Sequence, residues 1–234
     1  MCISQKLPPT SRMIPCVQCK LLVILLYMVS CFFQTIRSDG SFPSYLITWK
    51  LSTKTGICAS GVEYKMILDT ERLFLREMKQ NDFQDLAEIL QNPRVMYAYE
   101  HDFSDNDVQA WLDRQIERYK KYGFGLWAVV LKDTNEMIGQ AGLTMQPYKN
   151  TEVLEIGYLL KEKFWHYGYA REAAMGCKKY AFENLNRAKV YSIIKSDNLA
   201  SMKIAESIGM IKEDEFITQY YNGEMLHFLY SVHK

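Results

Sequence analysis

The spacing of apolar residues predicts a strand and then two helices within residues 66–123. Leu73 and Leu75 alternate with their neighbours from Arg72 onward, which is the two-residue period of a strand. A helix follows, because apolar residues recur at three- and four-residue intervals until Pro93: Phe83, Leu86, Ala87 and Leu90. The second helix carries a similar apolar stripe, which consists of Val108, Trp111, Leu112, Ile116 and Tyr119.

The ends of the second helix are marked as clearly as its stripe. Ser104 is the expected N-cap residue, because its hydroxyl can accept a hydrogen bond from a free backbone N–H of the first turn. Asp105 and Asp107 lie in that turn, where the positive end of the helix dipole favours carboxylates. Gly123 supplies the left-handed residue that commonly ends a helix. The sequence therefore predicts a helix between Ser104 and Gly123.

The later part of the chain predicts a sheet interleaved with helices. Leu126–Leu131 and Met137–Met145 are rich in β-forming residues, and Lys132–Glu136 between them is typical of a turn, so the two runs should form a hairpin. Further elements are expected as follows: a strand at Val153–Leu160, a helix over about Gly168–Leu185, a strand at Lys189–Ile194, a helix over about Leu199–Ile208 and two closing strands. The predicted class is α+β, with a mixed, mostly antiparallel sheet of six to seven strands and about four flanking helices.

Charge divides the chain into two unlike parts. Residues 1–65 contain seven basic and two acidic residues, whereas residues 66–234 contain 21 basic and 25 acidic residues, so the net charges are +5 and −4. A domain with net negative charge has no excess of lysine and arginine to neutralise phosphates. Composition therefore argues against nucleic acid as a main partner of the later part.

Residues 1–65 are predicted to be an extension, and the folded domain is expected to span residues 66–234 and to open with a strand at Met66. The run Leu21–Phe33 is uncharged over 13 residues, which is shorter than the roughly 20 residues that span a membrane. It is similar to the apolar core of a signal peptide, but no clear cleavage site follows it. Three interpretations stay open: a start codon assigned too early, a membrane tether, or an export signal.

Cysteine and histidine usage indicates neither a disulfide framework nor a metal site. Five of the six cysteines lie in the first 65 residues, and Cys16-x-x-Cys19 lacks the second pair of a zinc site. Cys177 falls on the apolar face of a predicted helix, where a cysteine is usually an inert core residue. No metal is expected, because four histidines lack metal-ligand spacing: His101, His166, His227 and His233.

One stretch combines a strand, a glycine-containing loop and the start of a helix. The strand ends with Glu155-Ile156-Gly157-Tyr158-Leu159-Leu160, and the loop and helix start read Trp165-His166-Tyr167-Gly168-Tyr169-Ala170-Arg171-Glu172. The first turn of a helix has unpaired backbone N–H groups and the positive end of the dipole, so it can hold a pyrophosphate without a lysine. Gly168 would let the backbone approach such a ligand closely.

This stretch resembles the acyl-CoA signature of the GNAT superfamily of acetyltransferases, Arg/Gln-x-x-Gly-x-Gly/Ala, with Trp165 at the usual arginine or glutamine position. Two further motifs are similar to the RimJ/RimL branch, which contains ribosomal-protein N-terminal acetyltransferases. They are Asp69-Thr70-Glu71-Arg72-Leu73-Phe74-Leu75-Arg76 and Asn198-Leu199-Ala200-Ser201. The resemblance implies a GNAT fold over residues 66–234 and acetyl-CoA as the co-substrate.

The resemblance also implies which residues contact CoA. They are Gly157, Tyr158, Leu159, Leu160, Trp165, His166, Tyr167, Gly168, Tyr169, Ala170, Arg171, Asn198 and Ser201. His166 and Tyr167 replace the glycine and lysine common in this branch, which adds bulk near the phosphates. Ala205 stands where many GNAT enzymes have a tyrosine that protonates the departing thiolate, although alanine is also frequent in the RimJ/RimL branch. Asn198 and Ser201 have an alternative role as caps of the helix that follows.

Glu155 is the expected general base, which takes a proton from the acceptor ammonium through water. The alternative role of Glu155 is structural, as the partner of a cation such as Lys189 or Arg171. Ser201 or a nearby tyrosine is expected to return a proton to the departing thiolate. The acceptor itself is expected to meet an aromatic and acidic cluster, which consists of Tyr97, Tyr99, Glu100 and His101. The same cluster is also typical of a solvated loop.

The predicted function is transfer of acetyl from acetyl-CoA to a primary amine by direct attack, on a protein N-terminus or a small molecule. The alternative is a CoA-binding module without turnover. A nucleotide-binding Rossmann domain is excluded because Gly-x-Gly-x-x-Gly is absent. We expect a monomer or homodimer in the cytoplasm, where acetyl-CoA is found, and a membrane partner only if residues 1–65 are a tether.

Overall fold

The computed structural model describes residues 55–57, 63–221 and 223–234, so most of the predicted extension and its apolar run Leu21–Phe33 lie outside the described residues. The strands are β1 (Thr55–Ile57), β2 (Glu63–Asp69), β3 (Leu73–Arg76), β4 (Leu126–Leu131), β5 (Met137–Tyr148), β6 (Thr151–Leu160), β7 (Lys189–Lys195), β8 (Ile211–Tyr220) and β9 (Gly223–His233). The α-helices among these residues are α1 (Phe83–Leu90), α2 (Asp105–Tyr122), α3 (Tyr169–Glu183) and α4 (Leu199–Ser207). Single turns of 3-10 helix occur at Gln80–Asp82, Tyr97–Tyr99 and Glu162–Phe164.

The described strands form one sheet in the order β1-β2-β3-β4-β5-β6-β7-β9-β8. Neighbouring strands are antiparallel except β6 and β7, which are parallel. The α+β class, the mixed sheet and the helices agree with the prediction. The described sheet has nine strands where six to seven were predicted, and the additional strands include β1, whose three residues are too few to show a period.

Helix α2 confirms the end signals that were read from the sequence. The Ser104 hydroxyl accepts a hydrogen bond from the Asp107 N–H at 3.3 Å, and the Asp107 carboxylate accepts one from the Ser104 N–H at 2.9 Å. This reciprocal pair is a capping box and satisfies two backbone donors at the helix start. Gly123 ends the helix in the left-handed region at φ 77°. Both ends of α2 are therefore determined by local residues.

Helix α3 packs on the sheet through small side chains, which let helix and sheet approach closely. The buried residues of its inner face are Ala173, Ala174, Cys177 and Ala181. Cys177 is fully buried, and burial raises the pKa of its thiol, so the thiol stays protonated and unreactive. The interpretation of Cys177 as a core residue is confirmed. In the part of the chain that the structure describes, no helix is long and apolar enough to cross a membrane.

Candidate active site

The centre of the sheet is open because β6 and β7 diverge. β6 pairs with β5 along its whole length, but its other edge pairs with β7 only at Glu155 and Tyr191. Just beyond this pair, the Ser192 hydroxyl donates a hydrogen bond to the Ile156 carbonyl at 3.0 Å. β7 then continues beside β9. The second half of β6 therefore presents backbone N–H and C=O groups at an edge that no described strand covers.

A cavity of about 430 Å³ lies in this opening. It is lined by residues that were predicted as site residues from the sequence: Tyr99, Glu155, Gly157, Tyr158, Leu159, Asn198 and Ser201. Leu160 is buried at the end of β6. The other predicted CoA contacts lie in the loop after β6 and in the first turn of α3, and these are Trp165, His166, Tyr167, Gly168, Tyr169, Ala170 and Arg171.

The Glu155 carboxylate lies at the point where β6 and β7 separate. It accepts hydrogen bonds from the backbone N–H of Ile193 at 3.2 Å and from the Thr144 hydroxyl at 3.3 Å. Burial raises the pKa of Glu155, against the opposing effect of these hydrogen bonds and of the positive charge of Arg118. A raised pKa brings a carboxylate closer to the range in which a general base works at neutral pH.

The two cations considered as structural partners of Glu155 make other contacts. Lys189 forms an ion pair with Glu213 at 2.5 Å. The Arg171 guanidinium donates to the Ser207 carbonyl at 3.5 Å. Glu155 is thus held by uncharged hydrogen-bond donors and not by an ion pair with either cation, so its carboxylate can accept a proton.

His227 is a second group with the properties of a base, and it was not among the site residues predicted from the sequence. It is buried on β9 and lines the cavity. Its Nδ1 lies 3.1 Å from the Met225 carbonyl, which can only accept, so in this contact Nδ1 carries the proton and Nε2 has the lone pair. Burial lowers the pKa of His227, so the ring is neutral at pH 7. A lone histidine in an alternating strand gives no signal that separates this role from a core residue.

A phenol lies where β6 faces the start of α4. The Tyr158 hydroxyl donates to the Ser201 carbonyl at 3.0 Å. The Asn198 side chain accepts a hydrogen bond from the Ser201 N–H at 3.0 Å, so Asn198 caps α4, which is the alternative role considered for it. Ala205, on the same helix, is fully buried and has no group to donate. Position 205 on α4 therefore has no hydroxyl that could donate a proton. Tyr158 on β6 has one.

In the loop between β6 and α3, Trp165 is bonded back to the strand, whereas Gly168 at the helix start has no side-chain cap. The Trp165 indole N–H donates to the Leu160 carbonyl at 3.0 Å. Gly168 has φ 82°, a left-handed conformation that favours glycine, and it precedes α3 without a side-chain cap. The N–H groups of the first turn therefore point out of the helix end. His166 and Tyr167 are exposed, so the bulk that they add faces solvent.

An ion pair ties this helix start to the turn between β2 and β3. Arg72 Nε contacts the Glu172 carboxylate at 2.7 Å, and its Nη1 donates to the Tyr167 carbonyl at 2.9 Å. The Thr70 hydroxyl donates to Glu172 at 2.6 Å. Partial burial of Glu172 opposes its ionisation, but the hydrogen bonds from Thr70 and Arg72 prevail and lower its pKa. Two motifs about a hundred residues apart in the sequence are thus joined by direct contacts.

The predicted acceptor cluster is only partly at the cavity. Of its four members, Tyr99 lines the cavity, and Tyr97 is 44% exposed. Glu100 forms an ion pair with Lys195 at 2.6 Å, and Lys195 also contacts Asp197 at 3.0 Å. The Glu100 charge is therefore compensated by a protein cation before any substrate arrives.

His101 contacts the tip of the β8–β9 hairpin, whose Tyr221 lines the cavity. Its ring stacks on Tyr221 with centroids 4.1 Å apart and an interplanar angle of 8°. Phe103 meets the edge of Tyr221 at 5.7 Å. The contact joins the segment after α1 to the hairpin tip, which are far apart in the sequence.

Several cavity residues had no signal in the sequence. They are Arg114, Arg118, Thr144, Gln146, Tyr221 and His227. Arg114 and Arg118 lie on the polar face of α2, which is normally solvated, so only their position in the fold distinguishes them. Within the described residues, no group of three or more His, Cys, Asp or Glu side chains is arranged to hold a metal ion.

Comparisons with known proteins identify the architecture. A family model for the acetyltransferase (GNAT) domain matches residues 72–211. YkkB of Bacillus subtilis, which is described as uncharacterized, is 37% identical over 147 residues, or 62% of this chain and 86% of YkkB. A crystal structure of an acetyltransferase from Agrobacterium tumefaciens has a TM-score of 0.61 and 28% identity, and the match covers 71% of this chain and 94% of that one.

RimL, a ribosomal L7/L12 alpha-N-protein acetyltransferase, shares the fold with a TM-score of 0.64 at 17% identity, over 76% of this chain and 100% of RimL. A second RimL structure, in complex with coenzyme A, has a TM-score of 0.59 at 16% identity, over 72% and 98% of the two chains. At this identity the likeness concerns the fold alone. The family match covers more than half of the chain and includes both the diverging strands and the helix start, so this protein belongs to the GNAT acetyltransferase family.

Proposed function

We propose that this protein transfers the acetyl group of acetyl-CoA to a primary amine. The observation that carries the proposal is that the open edge of β6 is followed, after one loop, by the start of α3, which has no side-chain cap. When bound, acetyl-CoA supplies the thioester carbonyl that the amine attacks. Its pantetheine amides suit the free backbone groups of Gly157–Leu160, as an added strand would. The backbone N–H groups in the first turn of α3 suit its pyrophosphate, and Gly168 has no side chain that would block the approach of the phosphates. Asn198 and Ser201, across the opening, are further proposed contacts of CoA.

Glu155 is the proposed general base. An alkyl ammonium has a pKa near 10, so it must lose a proton before its nitrogen can attack. The Glu155 carboxylate takes this proton through a water molecule, and its raised pKa makes it a better acceptor than a solvated carboxylate. His227, which is neutral and lines the same cavity, is the alternative base.

Two further groups of the chain would stabilise the negative charge that forms on the thioester oxygen and on the departing thiolate. Consecutive residues of a strand direct their N–H groups to opposite edges, so either Tyr158 or Leu159 directs one to the open edge, where it stabilises negative charge on the thioester oxygen. The departing thiolate needs a proton near neutral pH, because free thiols titrate at about 8.5. The hydroxyl of Tyr158 or of Ser201 would deliver it.

Thiol release from acetyl-CoA, measured over a panel of amines and N-terminal peptides, tests the proposal together with the dissociation constant for CoA. We expect tight CoA binding and thiol release that depends on the amine. CoA binding without release over the whole panel would instead favour a CoA-binding module, the reading that Ala205 motivates. Absence of CoA binding would reject both functions.

A further inference from the structure

Two arginines of α2 line the cavity. Arg114 and Arg118 are four residues apart, so they lie on one face of the helix. Both line the cavity together with Glu155 and Gln146. Arg118 is half-buried, whereas Arg114 is more exposed. A pair of guanidinium groups therefore stands in the same cavity as the proposed base.

These arginines carry charge that the described part of the protein does not compensate by direct contact. Arg118 Nη1 donates to the Gln115 side-chain oxygen at 3.2 Å, which is an uncharged partner. The Arg114 guanidinium lies 5.2 Å from the centre of the Trp111 ring. Among the described residues, no carboxylate lies within ion-pair distance of either arginine. By contrast, Lys195, which also lines the cavity, has two carboxylate partners.

The surroundings of Arg118 disfavour an uncompensated charge. Burial and the nearby charge of Arg114 lower the pKa of Arg118, while Glu155 acts in the opposite direction. Arginine nevertheless stays protonated in proteins, so it cannot relieve this cost by losing its proton. A bound anion would relieve it, since a guanidinium forms two parallel hydrogen bonds with a carboxylate or phosphate.

The position of the pair separates it from the proposed CoA phosphates. Arg118 acts electrostatically on Glu155, which is five residues before Leu160, where β6 ends. At about 3.3 Å per residue, this is about 16 Å along the strand, and the loop to α3 lies farther still. The arginines thus lie on the acceptor side of the site.

We propose that the acceptor is a small-molecule amine that also carries an anionic group, a carboxylate or a phosphate monoester. Arg118 and Arg114 bind the anionic group and orient the amine toward Glu155. The cavity of about 430 Å³ would also receive the thioester end of acetyl-CoA, so the part left to the acceptor suits a small molecule. A simple diamine would bring further positive charge to two arginines that already lack a counter-charge. This assignment rests on the proposed acetyl transfer.

The test compares amines that differ only in the anionic group. The pairs are O-phosphoethanolamine with ethanolamine, and 4-aminobutyrate and phenylalanine with their amides, assayed by thiol release from acetyl-CoA. We expect the anionic member of at least one pair to have a kcat/KM at least tenfold higher, as for one charge-assisted hydrogen bond. Arg118→Met should remove this ratio without a change in CoA affinity, whereas Arg118→Lys should keep part of it. Arg187→Met, an exposed arginine beyond α3, is the matched control.

Each outcome decides the assignment. Equal use of charged and neutral amines, or a ratio that survives in Arg118→Met with a normal melting temperature, overturns it while acetyl transfer stands. A peptide with an acidic residue near its N-terminus that exceeds every small amine overturns the small-molecule part. If no amine releases thiol, the same anionic amines are tested for a shift in the melting temperature of the CoA complex. The anion site is overturned if the anionic amines shift the melting temperature equally, or not at all, in the wild-type protein and in Arg118→Met. If the wild-type protein does not bind CoA, the proposed function itself is rejected.

Discussion

The two sides of the candidate site are built in different ways. The proposed donor side is made of residues that are close in sequence: the end of β6, the loop from Trp165 to Gly168 and the first turn of α3. The acceptor side is assembled from α2, the segment around Tyr99, β5 and the tip of the β8–β9 hairpin. The donor side presents backbone groups, whereas the acceptor side presents side chains with formal charge.

This difference shows why a family can keep its donor while its acceptors vary. Backbone N–H groups at a strand edge and a helix start persist through most side-chain substitutions, so they can recognise the same co-substrate throughout a family. A wall of side chains from separate elements can change one residue at a time. Here the motif residues lie on the donor side, and the uncompensated arginines lie on the acceptor side.

The largest effect is expected at the start of α3. Gly168→Asp should abolish CoA binding with the fold retained, because it adds a negative charge where the pyrophosphate is proposed to lie. Gly168→Asn is the matched control, because it has the same shape and the same strain at positive φ but no charge. Calorimetric titration with CoA and melting curves measure both variants. If Gly168→Asp binds CoA as tightly as Gly168→Asn, the anion-binding role of this turn is wrong.

Removal of the proposed base should have the next largest effect. Glu155→Gln keeps the shape and should lower turnover by about 10²–10⁴-fold with little change in CoA affinity. In the wild-type protein, activity should rise with pH through the raised pKa of Glu155, because the carboxylate must be ionised to accept a proton. In the variant this rise in activity should be absent, and activity should recover only as the amine itself becomes neutral near pH 10. His227→Gln is assayed in parallel, and a larger loss in that variant would assign the base to His227.

The contact between Arg72 and Glu172 should have a smaller effect, confined to the donor side. Arg72→Met removes the hydrogen bond to the Tyr167 carbonyl and the ion pair, so the loop is held less firmly. We expect CoA affinity to fall about tenfold, as for one charge-assisted hydrogen bond. The ratio between anionic and neutral amines should not change. Arg187→Met is again the control, and a change in amine preference in Arg72→Met would show that the two sides are not independent.

The smallest effect concerns pH and stability. The pKa of Glu172 is lowered in the folded protein, so its stabilising contribution is complete above its ordinary pKa of 4.5 and is lost as the pH falls through the folded value. The difference in unfolding free energy between wild type and Glu172→Gln should therefore be present at pH 7 and shrink below about pH 4.5. Urea unfolding at several pH values measures it. Glu183→Gln, whose nearest cation lies 3.9 Å away on the surface, should show no such dependence.

Sequence alone determined the elements whose signals are local. The ends of α2 depend on Ser104, Asp107 and Gly123, which act on backbone groups within one turn. The helix start at Gly168 and the strand before it are close in sequence, so both elements could be predicted before the fold was known. The short β1 was missed, because three residues are too few to show a period.

Only the tertiary structure decided where charges are compensated and where the sheet opens. The single pair between Glu155 and Tyr191 depends on the register of two strands joined through α3, which no local pattern specifies. Glu100 was predicted to face the acceptor, but its ion pair with Lys195 joins residues 95 positions apart. Arg118 looks solvated in the sequence, yet the fold leaves it half-buried beside the cavity. Periodicity and capping are properties of neighbouring residues, whereas charge compensation depends on which distant side chains the packed core brings together.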